Sequence, residues 1–217
     1  MKECKYVLFD LDGTLSDPGE GIIGSLIHAL KHFGIDGDPQ LLRSFIGPPL
    51  VDSFQLHFGF DTEQTAEAIR LYRAHFHEHG LFKNVIYPGI PELLRDLTKE
   101  GKTLAIATTK PTVYALEVLE FFEIDQYFQE DLVVGSFLDG RRTNKGELIA
   151  TVLKQLGGDR GDKVMVGDRK FDILGAQENG IDVIGVTYGY GEREELETLA
   201  PTAIASSVDE LRKLLLG

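Results

Sequence analysis

Five short runs of β-forming residues recur along this chain, separated by stretches in which apolar residues return at helical spacing. The runs are Tyr6–Phe9, Thr103–Thr108, Leu132–Val134, Val164–Val166 and Val183–Val186. Helical spacing appears at Ile90, Leu93, Leu94 and Leu97, at Leu148, Ile149, Val152, Leu153 and Leu156, and at Val208, Leu211, Leu214 and Leu215. Strands that alternate with helices predict an α/β fold, a parallel sheet with helices on both faces. Ligands of such sheets bind beyond the carboxyl ends of the strands. Pro88 and Pro111 are expected in the first turns of helices, and Gly101 and Gly157 at helix ends.

One stretch breaks the alternation. From about Pro18 to Lys83 there are helical patterns and no convincing strand. Ile22, Leu26, Leu30 and Phe33 form one apolar stripe, and Ala66, Ile69, Tyr72 and Phe76 another. Gly47-Pro48-Pro49 between them reads as a rigid turn. The simplest organisation is a core made of residues 1–16 and 84–217, with a small all-helical domain, residues 17–83, inserted after the first strand.

A chain of 217 residues with 42% hydrophobic content can bury a core of this size. Its formal net charge of -13 argues against a nucleic-acid polymer or an anionic membrane as partner. An anionic small molecule remains compatible, because a metal ion and a lysine can reverse the sign within one pocket. Cys4 is the single cysteine, which excludes an internal disulfide framework and fits a reducing compartment. The apolar run at Tyr6–Phe9 is too short for a signal peptide or a membrane span, so a cytoplasmic location is expected.

The polar residues that carry chemistry stand at the predicted strand ends. Phe9-Asp10-Leu11-Asp12-Gly13-Thr14 closes the first run with two carboxylates two residues apart. Asp10, with an ordinary pKa of about 3.9, is ionised at neutral pH and needs no base to attack phosphorus. Asp12 is placed to protonate a departing oxygen and later to take a proton from water. Gly13 permits a sharp exit that turns backbone N–H groups toward a phosphate, and Thr14 braces the turn. Asp-x-Asp alone is also a common turn after a strand. A calcium loop fits worse, since Leu15 occupies its sixth position and Gly21 its twelfth.

Further strand ends supply the support. Thr108, followed by Thr109, ends the second run with a hydroxyl able to reach a phosphoryl oxygen. Lys145 opens a helix in Asn144-Lys145-Gly146-Glu147, where its ammonium and the helix amino terminus both favour phosphate charge. Gly167-Asp168-Arg169-Lys170-Phe171-Asp172 presents two carboxylates spaced to flank a hard cation, for which Mg2+ is suited. Four clustered carboxylates and a phosphate dianion would repel without a divalent metal and Lys145.

On Asp10-Leu11-Asp12-Gly13-Thr14, Thr108, Lys145, Gly167-Asp168 and Asp172, in that order and nearly end to end, the chain resembles a haloacid-dehalogenase-superfamily phosphatase of the phosphoglycolate-phosphatase type. The resemblance implies a Rossmann-like core with a helical cap, Asp10 as nucleophile and Asp12 as acid/base. It assigns Mg2+ to the Asp10 side chain, the Asp12 carbonyl and Asp168, with Asp172 in support. The second aspartate separates the chain from dehalogenases and phosphonate hydrolases and favours a phosphate monoester. Arg169, and Ser136-Phe137-Leu138-Asp139-Gly140-Arg141-Arg142 ahead of Lys145, are similar to a 5'-nucleotidase-like branch.

Arg43, Gly47 and Arg73 in the helical insert are candidates for contacting the substrate's leaving group, beside Gly13 and Thr109 in the core. His75, His77 and His79 lack a third ligand at sensible spacing and read as a solvated helix. Gly189-Tyr190-Gly191 lacks the third glycine of a dinucleotide fingerprint, and there is no Gly-x-Ser-x-Gly elbow. The leading expectation is a Mg2+-dependent phosphatase of a small phosphate ester. Its rivals are a phosphomutase using the same residues on a sugar phosphate and, more remotely, a non-enzymatic phospho-acceptor or binding protein.

Overall fold

A computed structural model describes residues 4–217. These form two compact units, one of residues 4–17 and 86–217, the other of residues 18–85. The chain leaves the first unit through β1 (Tyr6–Phe9) and the two-residue β2 (Ser16–Asp17).

The second unit contains α1 (Gly19–His32), α2 (Pro39–Arg43), α3 (Leu50–Phe58) and α4 (Thr62–His75), which runs into a π-helical turn at Phe76–Gly80. Asp38 caps α2 by accepting from the Gln40 amide at 2.9 Å, and Asp61 with Gln64 forms a reciprocal capping box at the start of α4. The unit's apolar interior is aromatic, with Phe45, Phe54 and Phe60 buried and Phe54 stacked on Phe60. The buried stripe of α4 is Thr65, Ala68 and Tyr72, continued by Phe76, rather than one that includes Ala66. Ala66 is exposed because it lies a third of a turn off the face that Thr65 and Tyr72 define.

The chain re-enters the first unit within β3 (Val85–Ile86), which pairs with β2, and continues into α5 (Ile90–Lys99), β4 (Thr103–Pro111) and α6 (Thr112–Phe121). Then follow β5 (Phe128–Ser136), α7 (Lys145–Leu156), β6 (Lys163–Gly167), α8 (Lys170–Glu178), β7 (Asp182–Val186), α9 (Arg193–Thr198), β8 (Ala203–Ala205) and α10 (Val208–Leu216). Six strands form one sheet in the order β5-β4-β1-β6-β7-β8, with every neighbouring pair parallel. This is a doubly wound, Rossmann-like sheet. From β1 the chain builds outward through β4 to β5, then returns to the other side of β1 with β6, so the order reverses beside β1.

Strand alternation sends side chains to both faces. Leu8, Ala105, Ala107, Leu132, Val134 and Met165 pack with Leu148, Ile149 and Val152 of α7 and Ile173 and Ala176 of α8 in one buried cluster. Val7, Phe9, Ile106 and Val166, the alternate residues, are equally buried on the opposite face. Strands covered on both sides read as continuous apolar runs, which is why these four were visible in the sequence.

Proline placement differs from expectation. Pro88 lies ahead of Gly89, the left-handed N-cap of α5, and Pro91 is the residue in that helix's first turn. Pro111 ends β4 and caps α6 with φ -53° and ψ 136°, an extended backbone outside the helix. Gly157 does cap α7 with a positive φ of 61°, and Gly101 follows α5 with a φ of 76°.

Leu8 lies on a central strand with no exposed surface. Leu8→Ala is expected to lower unfolding free energy by about 2–5 kcal/mol, measured by urea denaturation. A loss below about 1 kcal/mol would contradict the packing described.

Candidate active site

Register sets the site. Phe9 pairs with Ile106 of β4 and with Val166 of β6, so Asp10, Thr108 and Asp168 follow paired positions by one or two residues. The Asp10 amide donates to the Val166 carbonyl at 2.9 Å and extends the ladder by one step. All three groups therefore emerge at the carboxyl edge, where the strand order reverses.

Asp10, Asp168 and Asp172 are buried, and each offers a carboxylate oxygen within 4.8 Å of the others. Lys145 is buried with them, its Nζ 2.8 Å from Asp10 Oδ2 and 2.8 Å from Asp172 Oδ1. It also donates to the Ala107 carbonyl at 3.1 Å. Asn144 caps α7 by accepting from the Glu147 amide at 3.1 Å, which places Lys145 at the first helical position. Asp172 occupies the third position of α8 and accepts from the Arg169 amide at 3.0 Å, so a helix-capping geometry holds it inward.

Asp168 is held from two sides. Its Oδ1 accepts from the Thr14 hydroxyl at 3.2 Å and its Oδ2 from the Tyr190 amide at 2.8 Å. Thr14 thus braces the neighbouring carboxylate as well as its own turn. Gly189-Tyr190-Gly191, set aside as a nucleotide motif, is the wall against which Asp168 rests. A Cβ at Gly189 would collide with the Gly13 carbonyl, and one at Gly191 with the Asp168 carbonyl. Tyr190 is tied down by its hydroxyl, which donates to Asp17. Gly13 has φ +86° and lies so close to Asp168 that any side chain there would displace the carboxylate.

Burial and mutual repulsion unsettle these charges. Desolvation, then the charges of Asp172 and Asp10, push Asp168 up to about 8, against the Tyr190 amide and Arg169. Asp172 is pushed up to about 6 by burial, with Lys145 pulling the other way. Burial works against the charge on Lys145, but Asp10 and Asp172 outweigh it and its pKa moves upward. Three buried carboxylates sharing one ammonium make a donor set short of positive charge, and its hard oxygens suit a cation such as Mg2+.

Asp12 has a different partner. Lys110 Nζ donates to both its oxygens, at 3.0 and 2.7 Å. Burial raises the Asp12 pKa and Lys110 opposes the rise. The sequence pattern alone does not single out Lys110. Its signal was a lysine directly after Thr108-Thr109 at a strand end, but strand-end lysines usually point to solvent. The β4–β5 register shifts between Ala107 and Pro111, and this irregularity turns Lys110 inward. Thr108 is buried and its hydroxyl oxygen accepts from the Lys110 amide at 3.3 Å, while Thr109 is half-buried beside it.

Arg43, Gly47 and Arg73 belong to the helical unit. Arg43 is the exposed last residue of α2, Gly47 has a φ of 105° in the following turn, and Arg73 lies half-buried in the last turn of α4. Among the histidines, His77 and His79 are exposed, while His75 stacks on His28 with ring centres 4.2 Å apart. Among the described residues, the three aspartates are the only group placed to share an ion. No described helix is long and apolar enough to cross a membrane.

A doubly wound sheet with buried acidic residues and a lysine at its switch point defines a class, the Rossmann-like α/β proteins whose site lies at the carboxyl edge of their strands. A family model described as haloacid dehalogenase-like hydrolase matches residues 7–186. The chain belongs to this family, as its motifs implied. It is 46% identical over 211 residues to a protein named 5'-nucleotidase from Pseudomonas aeruginosa, covering 96% of this chain and 94% of that one. It is 39% identical to tyrosine-protein kinase PtkA of Mycobacterium tuberculosis, covering 97% of this chain and 72% of that one. The crystal structure of a predicted phosphatase from Clostridium acetobutylicum is similar with a TM-score of 0.93 at 44% identity, covering 98% of each chain.

The Asp168 environment predicts a pH effect. With no cation bound, the folded protein keeps the Asp168 proton to about pH 8, whereas the unfolded chain releases it near about 4. The unfolded state binds fewer protons between these values, so stability falls as pH rises through that window. In chelator, the melting temperature of the wild type should decline from pH 5 to pH 8 relative to that of Asp168→Asn. Parallel curves would contradict the shift.

Proposed function

We propose that this protein is a Mg2+-dependent phosphatase that hydrolyses a small phosphate monoester through an aspartyl-phosphate on Asp10, with a 5'-nucleotide as the favoured substrate and phosphoglycolate next. The observation that carries the reading is the buried cluster of Asp10, Asp168 and Asp172 around Lys145 at the end of a parallel sheet. Such a cluster costs too much desolvation to serve stability alone. The 46% identity to a protein named 5'-nucleotidase supports the nucleotide over other esters.

An Asp10 oxygen attacks phosphorus as the bond from phosphorus to the leaving oxygen breaks, and Asp12 gives that oxygen its proton. Water then attacks the acyl phosphate, returning a proton to Asp12, and the bond to Asp10 breaks to release phosphate. Lys145 holds Asp10 in place and faces the charge that develops on the phosphoryl oxygens. Thr108 and Thr109, with the backbone at Gly13, line the same edge and are suited to phosphate oxygens. Asp10, Asp168 and the Asp12 carbonyl would hold Mg2+, with Asp172 in support. Bound there, the ion neutralises phosphate charge that carboxylates would otherwise repel. We assign the helical unit the role of a cap that selects the leaving group, with Arg43, Gly47 and Arg73 as its candidate contacts.

Asp10→Asn should reduce turnover of nucleoside 5'-monophosphates about a thousandfold or more while preserving the circular-dichroism spectrum. Phosphate release at a tenth of the wild-type rate would remove Asp10 as nucleophile. The product to assay is free phosphate, since an isomerised sugar phosphate without it would indicate a mutase. Mg2+ at a hundred times its dissociation constant should stabilise the fold by about 2.7 kcal/mol, read as a higher melting temperature. An unchanged melting curve in wild type would count against the metal site.

A further inference from the structure

We infer that Lys110 is a positioning residue for the proton transfers of Asp12, an inference that rests on the acid/base role proposed for that aspartate. Lys110 Nζ reaches both Asp12 oxygens, at 3.0 and 2.7 Å, so the ammonium fixes the rotation of the carboxylate as well as its position. The lysine side chain is 3% exposed and that of Asp12 is 15% exposed. The ammonium is thus the more deeply buried partner of the pair.

The contact is separate from the main cluster. Lys145 contacts Asp10, Asp172 and the Ala107 carbonyl, whereas Lys110 makes the two direct bonds to Asp12. The segment carrying Lys110 is also pinned. Its amide donates to the Thr108 hydroxyl at 3.3 Å, and the Ser136 hydroxyl donates to the Thr109 carbonyl at 2.8 Å. These bonds fix the backbone from which the lysine reaches the Asp12 carboxylate, whose orientation proton transfer depends on. A buried ion pair contributes little to stability over an apolar pair of the same size, so its presence beside reacting groups points to placement rather than to folding.

The consequence concerns leaving groups. A nitrophenolate departs without a proton, whereas an alkoxide needs one from Asp12. Removing the ammonium should therefore harm alkyl phosphates far more than aryl phosphates. The test compares kcat/KM for p-nitrophenyl phosphate and for glycerol phosphate in wild type, Lys110→Met, Lys110→Gln and Asp12→Asn. The ratio of the two is taken within each preparation and so does not depend on the fraction of folded enzyme. In both Lys110 variants the ratio should rise about tenfold or more over wild type, in the direction taken by Asp12→Asn. Adding Lys110→Met to Asp12→Asn should change it no further. A wild-type ratio in the Lys110 variants with a raised one in Asp12→Asn overturns the role of Lys110 alone. A wild-type ratio in all variants overturns the acid role of Asp12 and that of Lys110 with it.

Discussion

Crowding of like charge governs this structure. Asp10, Asp168 and Asp172 meet in a buried space with one ammonium among them. Such an arrangement is unfavourable by itself, and the rest of the fold supplies what makes it tolerable. Parallel pairing brings the strand ends together, a hydroxyl and an amide hold Asp168, and a helix start holds Asp172. The residual repulsion is the property that a bound cation would relieve. Chemistry and instability share one cause.

The two lysines divide the acidic residues between them. Lys145 bridges two carboxylates and sits at a helix start, where backbone dipoles also favour anionic charge. Lys110 comes from a strand irregularity and serves Asp12 alone among the carboxylates whose contacts are described. In the proposed mechanism, the attacking and the proton-transferring carboxylate thus rest on different lysines although they are two residues apart. Environment, more than residue type, sets the role of each carboxylate.

Much of the fold was legible because its inner strands are covered on both faces and read as unbroken apolar runs. The edge strands were harder. After the buried Phe128, β5 runs through Gln129, Glu130 and Asp131, all exposed, so only its inner Leu132–Val134 stood out, and the three-residue β8 carries two alanines. Asp10, Asp168, Asp172 and Lys145 were legible as a site because each stands next to a strand end or helix start in a recognisable order. Lys110 and Tyr190 were not. The first depends on a register shift that no local pattern announces, and the second acts through its backbone amide, which any residue would supply. The helical insert showed its periodicity, but the buried face of α4 was displaced by one residue, since Thr65 faces inward there despite its hydroxyl.

Four glycines fence the acidic cluster, Gly13 and Gly189 against the Asp168 carboxylate, Gly191 against its backbone and Gly167 against Asp172. Backbone atoms alone make these boundaries, at a closeness where even a methyl group would intrude. Laboratory evolution toward new chemistry therefore has no adjustable wall on this side. Variation that leaves the cluster intact has to come from other directions, and a library that randomises these loops would mostly sample broken sites.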